Sequence, residues 1–250
     1  MTTLRVAIRP AVEAPQQGDT LRPVALTDRT VWRDAALVWL AQHVILALVV
    51  YIGRTALLTQ LATPPNGGSV TWGAVFHHWN AWDASLYAAI ARQGYHSLWM
   101  AAFPPLLPTV ESALSSVLRV EPALAGLFVA SLAELIAFGL LRVLAEREAD
   151  RATARRALLY FAFFPTALYL ALPYTESLFL TFSLGVFLAV RGQRWVLAGV
   201  LVSLAVLTRQ TGVLLCVRCS SNIGGRDEIR PNRVTRAPTS SSPAPLPCRS

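Results

Sequence analysis

FPPLLPTVESALSSVL, residues 103–118, decides how the rest of this chain is arranged. It is apolar enough to be counted as a membrane span. Yet its three prolines, Glu111 and three serines make it a poor helix to set against lipid. On either side lie five clearer apolar stretches, Ala35 to Ile52, Ala123 to Leu141, Ala157 to Leu172, Leu178 to Val190 and Trp195 to Leu215. If residues 103–118 cross and the amino terminus is inside, seven of the arginines before residue 216 fall inside and nine outside. If they form an interfacial or re-entrant helix, twelve fall inside and four outside: Arg54, Arg92, Arg119 and Arg209. Membrane insertion keeps arginine in cytoplasmic loops, so the second arrangement is the one expected.

Composition agrees with a membrane protein. The 250 residues are 54% hydrophobic and 14% charged, with a mean hydropathy of +0.47. A soluble domain carries charge on about a quarter of its residues, so soluble, disordered, collagen-like and disulfide-scaffold classes are excluded. The net charge is +8, but all 22 basic residues are arginine. With the abundant Ala, Leu and Pro, that usage reads as the codon bias of a GC-rich bacterial genome. The arginines follow the loops between apolar runs and form no stripe that could track a phosphate backbone, so no nucleic-acid partner is expected.

The expected fold is an all-α polytopic membrane bundle with about five spans and interfacial helices in a large first outer loop. Residues 1–33 read as a cytoplasmic disordered segment without a cleavable signal, residues 34–215 as the membrane core with its outer loop at 53–122, and residues 216–250 as a tail. Residues 142–156 and 191–194 are expected as inner loops. All three cysteines lie at or beyond Cys216, and Cys216-Val-Arg-Cys219 lacks a second pair to complete a zinc site. The tail's six arginines would lie on the side the other arginines avoid, and we read it as out-of-frame sequence on a truncated copy.

Several polar residues stand where the membrane does not need them. In HHWNAWDASLYAAIARQGY, residues 77–95, Trp79, Trp82, Leu86 and Ile90 repeat at helical spacing with Asp83 beside Trp82. An aromatic belt with an incidental carboxylate explains this pattern; so does a site. The adjacent His77 and His78 diverge on a helix and make a weak metal pair. In Pro173-Tyr-Thr-Glu-Ser177, Thr175 can cap the next helix with Glu176 in its first turn, or Tyr174 and Glu176 can line a site on the same side as Asp83. Trp195 to Thr208 spans about 21 Å as a helix, short of the roughly 30 Å hydrocarbon core. The helix is therefore predicted to continue through residue 215, with Arg209 at headgroup depth, snorkelling or gripping a lipid phosphate. Glu134, in mid-span, reads as neutral or hydrogen-bonded to a neighbouring helix.

Three motifs occur in order: WDASLYAAIARQGY with AFPPLLP, then PTALYLALPYTESLFL, then AGVLVSLAVLTRQTGVLL. Over residues 35 to 215 the chain resembles the bacterial branch of the PIG-V-like mannosyltransferases, GT-C membrane glycosyltransferases related to the second mannosyltransferase of GPI-anchor synthesis. The resemblance implies a multi-span enzyme of the bacterial plasma membrane. It would use a polyprenyl-phosphate sugar as donor and a lipid or glycan as acceptor, with its site outside the cytoplasm. It implies Asp83 as catalytic acid–base residue, and Trp82, Tyr87, Tyr174, Glu176 and Arg209 as substrate-binding residues. Asn80 and Ala81 depart from it, standing where a basic residue often precedes the Trp-Asp pair. No resident metal is implied by ligand spacing, although Glu176 could orient the acceptor or bind a divalent cation. A non-catalytic remnant or transporter fragment is the rival reading; a transporter would place its polar residues at the bilayer midplane, whereas these gather at one face.

Overall fold

A computed structural model describes residues 25–53 and 82–216. The readings made on residues 1–24, on His77, His78, Trp79, Asn80 and Ala81, and on the tail beyond Cys216 lie outside the described residues. Within them the chain is all-α, a membrane helical protein. Its helices are α1 (Arg29–Ile52), α2 (Asp83–Gln93), α3 (Leu106–Leu118), α4 (Pro122–Glu148), α5 (Arg151–Ala162), α6 (Glu176–Arg191) and α7 (Trp195–Thr208).

Two of these helices are long and apolar enough to cross a membrane, α1 with 24 residues and α4 with 27, about 36 and 40 Å at 1.5 Å per residue. Asp28 starts α1, its carboxylate accepting from the Thr30 amide at 2.8 Å. Beyond that cap α1 is apolar nearly all round; Leu37, Leu40, Val44, Leu48 and Val49 are exposed, the pattern of a helix that faces lipid on most of its circumference. Its inner stripe packs on α4 and α5, where Ala35 joins Phe138, Leu158 and Ala162 in one apolar cluster. Small residues permit this approach: a Cβ on Gly139 of α4 would come within 2.5 Å of the Trp32 ring. α4 is the central mast, packed by α1, α3, α5 and α6.

Two of the other helices, α5 and α7, are shorter than the apolar runs that encode them. Residues 157–172 do not form one span. Their helix begins earlier, at Arg151, where the Asp150 carboxylate accepts from the amides of Ala152 and Thr153 at 2.8 and 2.9 Å, and it stops at Ala162 after about 18 Å. Pro165 then opens a 3-10 segment, Pro165–Leu170, because proline cannot donate to a continuing α-helix. The expected inner loop at 142–156 shrinks accordingly to Ala149 and Asp150, since its Arg and Glu residues are good helix formers and extend α4 to Glu148.

Residues 103–118 lie at one end of the bundle. Arg191 at the end of α6 pairs with Glu148 at the end of α4 (2.6 Å), so these two carboxyl-terminal ends lie together. Pro104, just before α3, sits with Glu176 and Arg209 at the opposite end, and Arg119, just after α3, leads straight into Pro122 of α4 at that same end. Both ends of α3 are thus on one side of the bundle, and its 13 residues do not cross it.

Candidate active site

Glu176 begins α6 and Arg209 follows the last residue of α7; the two helices are joined by a three-residue turn at 192–194 and pack closely along their lengths. An antiparallel pair with so short a turn must bring its far ends together. The Arg209 guanidinium donates to Glu176 Oε1 at 2.5 Å, with both side chains part-exposed (41 and 34%). This is a charge-assisted contact facing a cleft rather than a buried bridge.

The expected continuation of α7 through residue 215 is not what forms. The α-helix ends at Thr208, whose hydroxyl donates back to the Leu204 carbonyl at 2.6 Å, and Arg209 is extended (φ −152°, ψ 138°). A 3-10 turn follows at Gln210–Gly212, folded against the helix end so closely that a Cβ on Gly212 would lie 2.6 Å from the Ala205 carbonyl carbon and the Val206 nitrogen. Glycine allows that fold-back, and the break turns Arg209 toward Glu176 instead of leaving it in a helix flank.

Asp83 reaches the same place from a different element. It is the first residue of α2, and the residue before it, Trp82, has φ 52° and ψ −127°, a conformation rarely tolerated by a bulky side chain. The Ser85 hydroxyl and amide both bond the Trp82 carbonyl (2.6 and 3.1 Å), fixing this entry into the helix. Gly94, at φ 73°, ends α2 and returns the chain through Phe103, which Tyr87 and Trp99 meet edge-on and whose carbonyl accepts from Tyr95 Oη at 3.0 Å.

Asp83, Tyr87, Tyr174, Glu176 and Arg209 line one cleft of about 280 Å³, together with Phe103, Pro104 and Thr208. Five of the six site residues read from the sequence therefore converge. Trp82 does not line it; its ring is 71% exposed beside the entrance. The sequence reading missed Phe103, Pro104, Thr175, Thr208 and the 210–211 backbone turn as wall elements, although each lies inside a motif already singled out. Thr175 also departs from its expected role as a side-chain cap. Its backbone is helical (φ −81°, ψ −11°), which carries the hydroxyl away from the N-terminal amides and toward Tyr87.

Burial pushes the Tyr87 and Tyr174 hydroxyls up to about 12, and the nearby carboxylates of Asp83 and Glu176 push the same way. Both phenols are neutral hydrogen-bonding groups at physiological pH. Tyr174 stacks on Tyr169, with ring centres 5.8 Å apart and planes 16° apart. Behind that stack lies a second, mainly apolar groove of about 480 Å³, lined by Tyr160, Phe161, Phe164, Tyr169, Leu170 and, at its polar limit, Glu176. The groove exists because α5 stops short and the 3-10 segment does not refill the helical outline. Irregular backbone at membrane depth is tolerated where it lines a cavity or is covered by protein.

For a divalent cation the cleft offers two carboxylates, Asp83 and Glu176, and Glu176 is already engaged by Arg209. Among the described residues no three His, Cys, Asp or Glu side chains gather as a metal site, so no step is derived through one. Glu134 is fully buried on α4, beside the Gln42 side-chain amide of α1 and 3.7 Å from His43 Nε2 of the same helix. Its polar neighbours thus come from an adjoining helix, one of the two surroundings read for it from the sequence.

The chain is similar to GPI mannosyltransferase 2 of Schizosaccharomyces pombe, 28% identical over 152 residues that make up 57% of this chain and 32% of that protein. The chain thus spans about a third of the length of this relative. No family model matches, and no solved structure does. The similarity is distant, and it falls on a chain with two helices long and apolar enough to cross a membrane.

Proposed function

We propose that the protein transfers a sugar, mannose in the first instance, from a polyprenyl-phosphate donor to a hydroxyl of a lipid-linked or other acceptor on the extracytoplasmic face of a bacterial plasma membrane. The observation that carries the proposal is the convergence of Asp83, Glu176 and Arg209 on one cleft that shares Glu176 with an apolar groove. A polar headgroup and a hydrocarbon chain need these two surroundings side by side. In the transfer, the acceptor oxygen attacks the anomeric carbon, the bond from that carbon to the phosphate oxygen breaks, and the phosphate leaves with the electron pair. Asp83 takes the hydroxyl proton. Arg209 stabilises the departing phosphate through guanidinium donors that Glu176 leaves free, and Glu176 fixes the orientation of that planar fork. Tyr87 and Tyr174, both neutral, are walls and hydrogen-bond donors for the sugar.

The test is transfer from labelled polyprenyl-phosphate mannose in membranes holding the protein. Turnover in the parent and its loss in Asp83→Asn are expected; no transfer from the parent, or equal transfer by the variant, overturns the proposal. Sidedness has its own readout. With the native cysteines replaced, a cysteine at Ser85 should react with an impermeant thiol reagent in intact cells and one at Ala152 should not.

A second reading rests on the 2.5 Å contact between Arg209 and Glu176: the pair clasps the open end of the α6–α7 hairpin. In that case Glu176→Gln lowers stability and leaves donor binding intact, whereas in the proposed reading it chiefly alters donor binding.

A further inference from the structure

Three residues of α1 are buried, Val31, Ala35 and Gln42, and the last is polar. An amide on the inner stripe of a lipid-facing helix needs partners from the protein, since hydrocarbon supplies none. Gln42 Nε2 donates to the Ala167 carbonyl at 3.1 Å, a buried bond between residues 125 positions apart. Its neighbours fix the rotation of α1 against α4. Trp39 Nε1 donates to the Ser131 carbonyl at 3.1 Å, and the His43 ring packs on Trp39 with Nε2 at 3.3 Å from Ser131 Oγ. Glu134 of α4 lies beside the Gln42 amide itself. Gln42 is thereby held facing inward.

Its acceptor belongs to the 3-10 segment Pro165–Leu170, the interruption that follows α5. Hydrogen bonds of 3-10 type have poorer geometry than those of an α-helix, and Pro165 offers no amide, so such a segment gains its shape from what holds it outside. Two residues beyond Ala167, Tyr169 lines the apolar groove and stacks on Tyr174, which lines the cleft. The stacked rings are the partition between the two cavities, and Glu176 reaches both. A continuous line of contacts therefore runs from Gln42 through the Ala167 backbone and Tyr169 to Tyr174.

We propose that Gln42 is a positioning residue for the cleft: by holding the 3-10 segment it fixes the Tyr169 ring, and through it the Tyr174 wall against which the donor lies. Gln42 itself touches no substrate. The inference rests on the sugar-transfer reading for what the wall does, and on the contacts alone for the coupling. A wall serves the bound donor before and during transfer alike, so loosening it raises KM and spares kcat.

Gln42→Met keeps the length of the side chain in apolar surroundings and removes the donor. In the full chain labelled with 3-fluorotyrosine, each fluorine signal assigned by replacing the tyrosines in turn, it should move the Tyr169 and Tyr174 signals and leave that of Tyr95. Thr181→Val is the control, because it deletes another interhelix bond to a carbonyl, from Thr181 of α6 to Ala133 of α4 at 2.6 Å, without touching the segment; it should move neither signal. With polyprenyl-phosphate mannose, Gln42→Met should raise KM about tenfold, the weight of one hydrogen bond, at unchanged kcat. Tyr169→Leu, at a part-exposed position, breaks the stack from its other side and should raise KM likewise; the double variant should then be no worse than the worse single one. Unmoved Tyr169 and Tyr174 signals in Gln42→Met overturn the proposal, as do equal movements in Thr181→Val, a KM like the parent's, or additive effects of Gln42→Met and Tyr169→Leu. A parent that transfers no sugar overturns the transfer reading instead, and the fluorine signals then decide the coupling by themselves.

Discussion

The two ends of this bundle use arginine for opposite purposes. Among the described residues nine arginines stand at the end marked by Glu148 and Arg191, and three, Arg92, Arg119 and Arg209, at the end that holds the cleft. At the first end charge is spent on assembly. Arg142 is fully buried, within 3.6 Å of Asp34 on α1 and in contact with Glu146 on its own helix, while Arg155 of α5 donates to the same Asp34 at 2.7 Å. One carboxylate thereby holds three helices together. At the second end Arg209 and Glu176 meet while both remain open to a cleft. A buried, multiply held guanidinium cannot exchange partners; a part-exposed one can. The lesson is that burial, more than the number of ion pairs, separates scaffold charge from working charge.

The largest effect that tests this contrast is on turnover. Asp83→Asn is expected to lower sugar transfer by about 10²–10⁴, the range for deleting a positioned base, while stability stays within about 0.5 kcal/mol because Asp83 is exposed and unburdened by packing. A variant that transfers sugar like the parent returns Asp83 to the status of an interface residue. On the scaffold side, Arg142→Ala leaves Asp34 and Glu146 without their buried partner and should cost about 3–5 kcal/mol, read as a lower unfolding midpoint in detergent micelles. Arg209→Ala should cost about 1 kcal/mol or less by the same measure, with its main effect on donor binding, and Arg209→Lys should lie between. If Arg209→Ala unfolds the protein as readily as Arg142→Ala, the distinction between the ends collapses.

How far the sequence foretold this can be argued from those residues. Asp83, Glu176 and Arg209 were legible as polar groups expected together at one end of a helical bundle, because that expectation follows from counting spans and arginines. Their convergence was not, since it depends on the break at Thr208 and the fold-back at Gly212, and the hydropathy of residues 195–215 runs across both without a signal. The same blindness to backbone direction turned the apolar run 157–172 into one span, when Pro165 marks its interruption. Arg142 was read as a loop charge; its partner Asp34 is more than a hundred residues away, and only the packing of α1 on α4 discloses it. Glu111 was legible as a group unfit for lipid, and its burial against α4 gives the physical reason that the segment stays in the bundle.

Glu111 gives the next test, because it is a buried charge-capable group at the cleft end that is not a working charge. Burial pushes its carboxyl from the ordinary 4.5 up to about 8, so the folded chain keeps a proton that the unfolded chain has lost. Its contribution to stability is complete below 4.5 and is lost as the pH rises through 8. Glu111→Gln preserves the shape without ionising and should gain on the parent as pH rises, by about 1–3 kcal/mol above that window, the scale of an unsatisfied buried polar group. Gly126→Ala should lower stability across the whole pH range, since a Cβ there meets the Glu111 carboxyl directly. Parallel pH profiles for the parent and Glu111→Gln would mean that this carboxyl ionises without penalty and belongs with the accessible charges.

The smallest effect concerns two exposed ion pairs, one at each end: Arg191 with Glu148 at 2.6 Å and Arg92 with Glu121 at 2.7 Å, all four side chains between 46 and 57% exposed. Both are short, and distance alone would rank them with the buried Arg142 contacts. Solvent screening and the entropy of holding long side chains argue otherwise, and exposed pairs typically couple by about 0.2–1 kcal/mol. Double-mutant cycles, Arg191→Gln with Glu148→Gln and Arg92→Gln with Glu121→Gln, should therefore give small coupling energies of similar size that shrink further in high salt. Equality at the two ends is the informative result, because it would show that neither end is special except where its charges are buried or face a cavity. A coupling for Arg92 and Glu121 several times that for Arg191 and Glu148 would break the rule, and would make the α2–α4 contact beside the cleft part of what holds Asp83 in place.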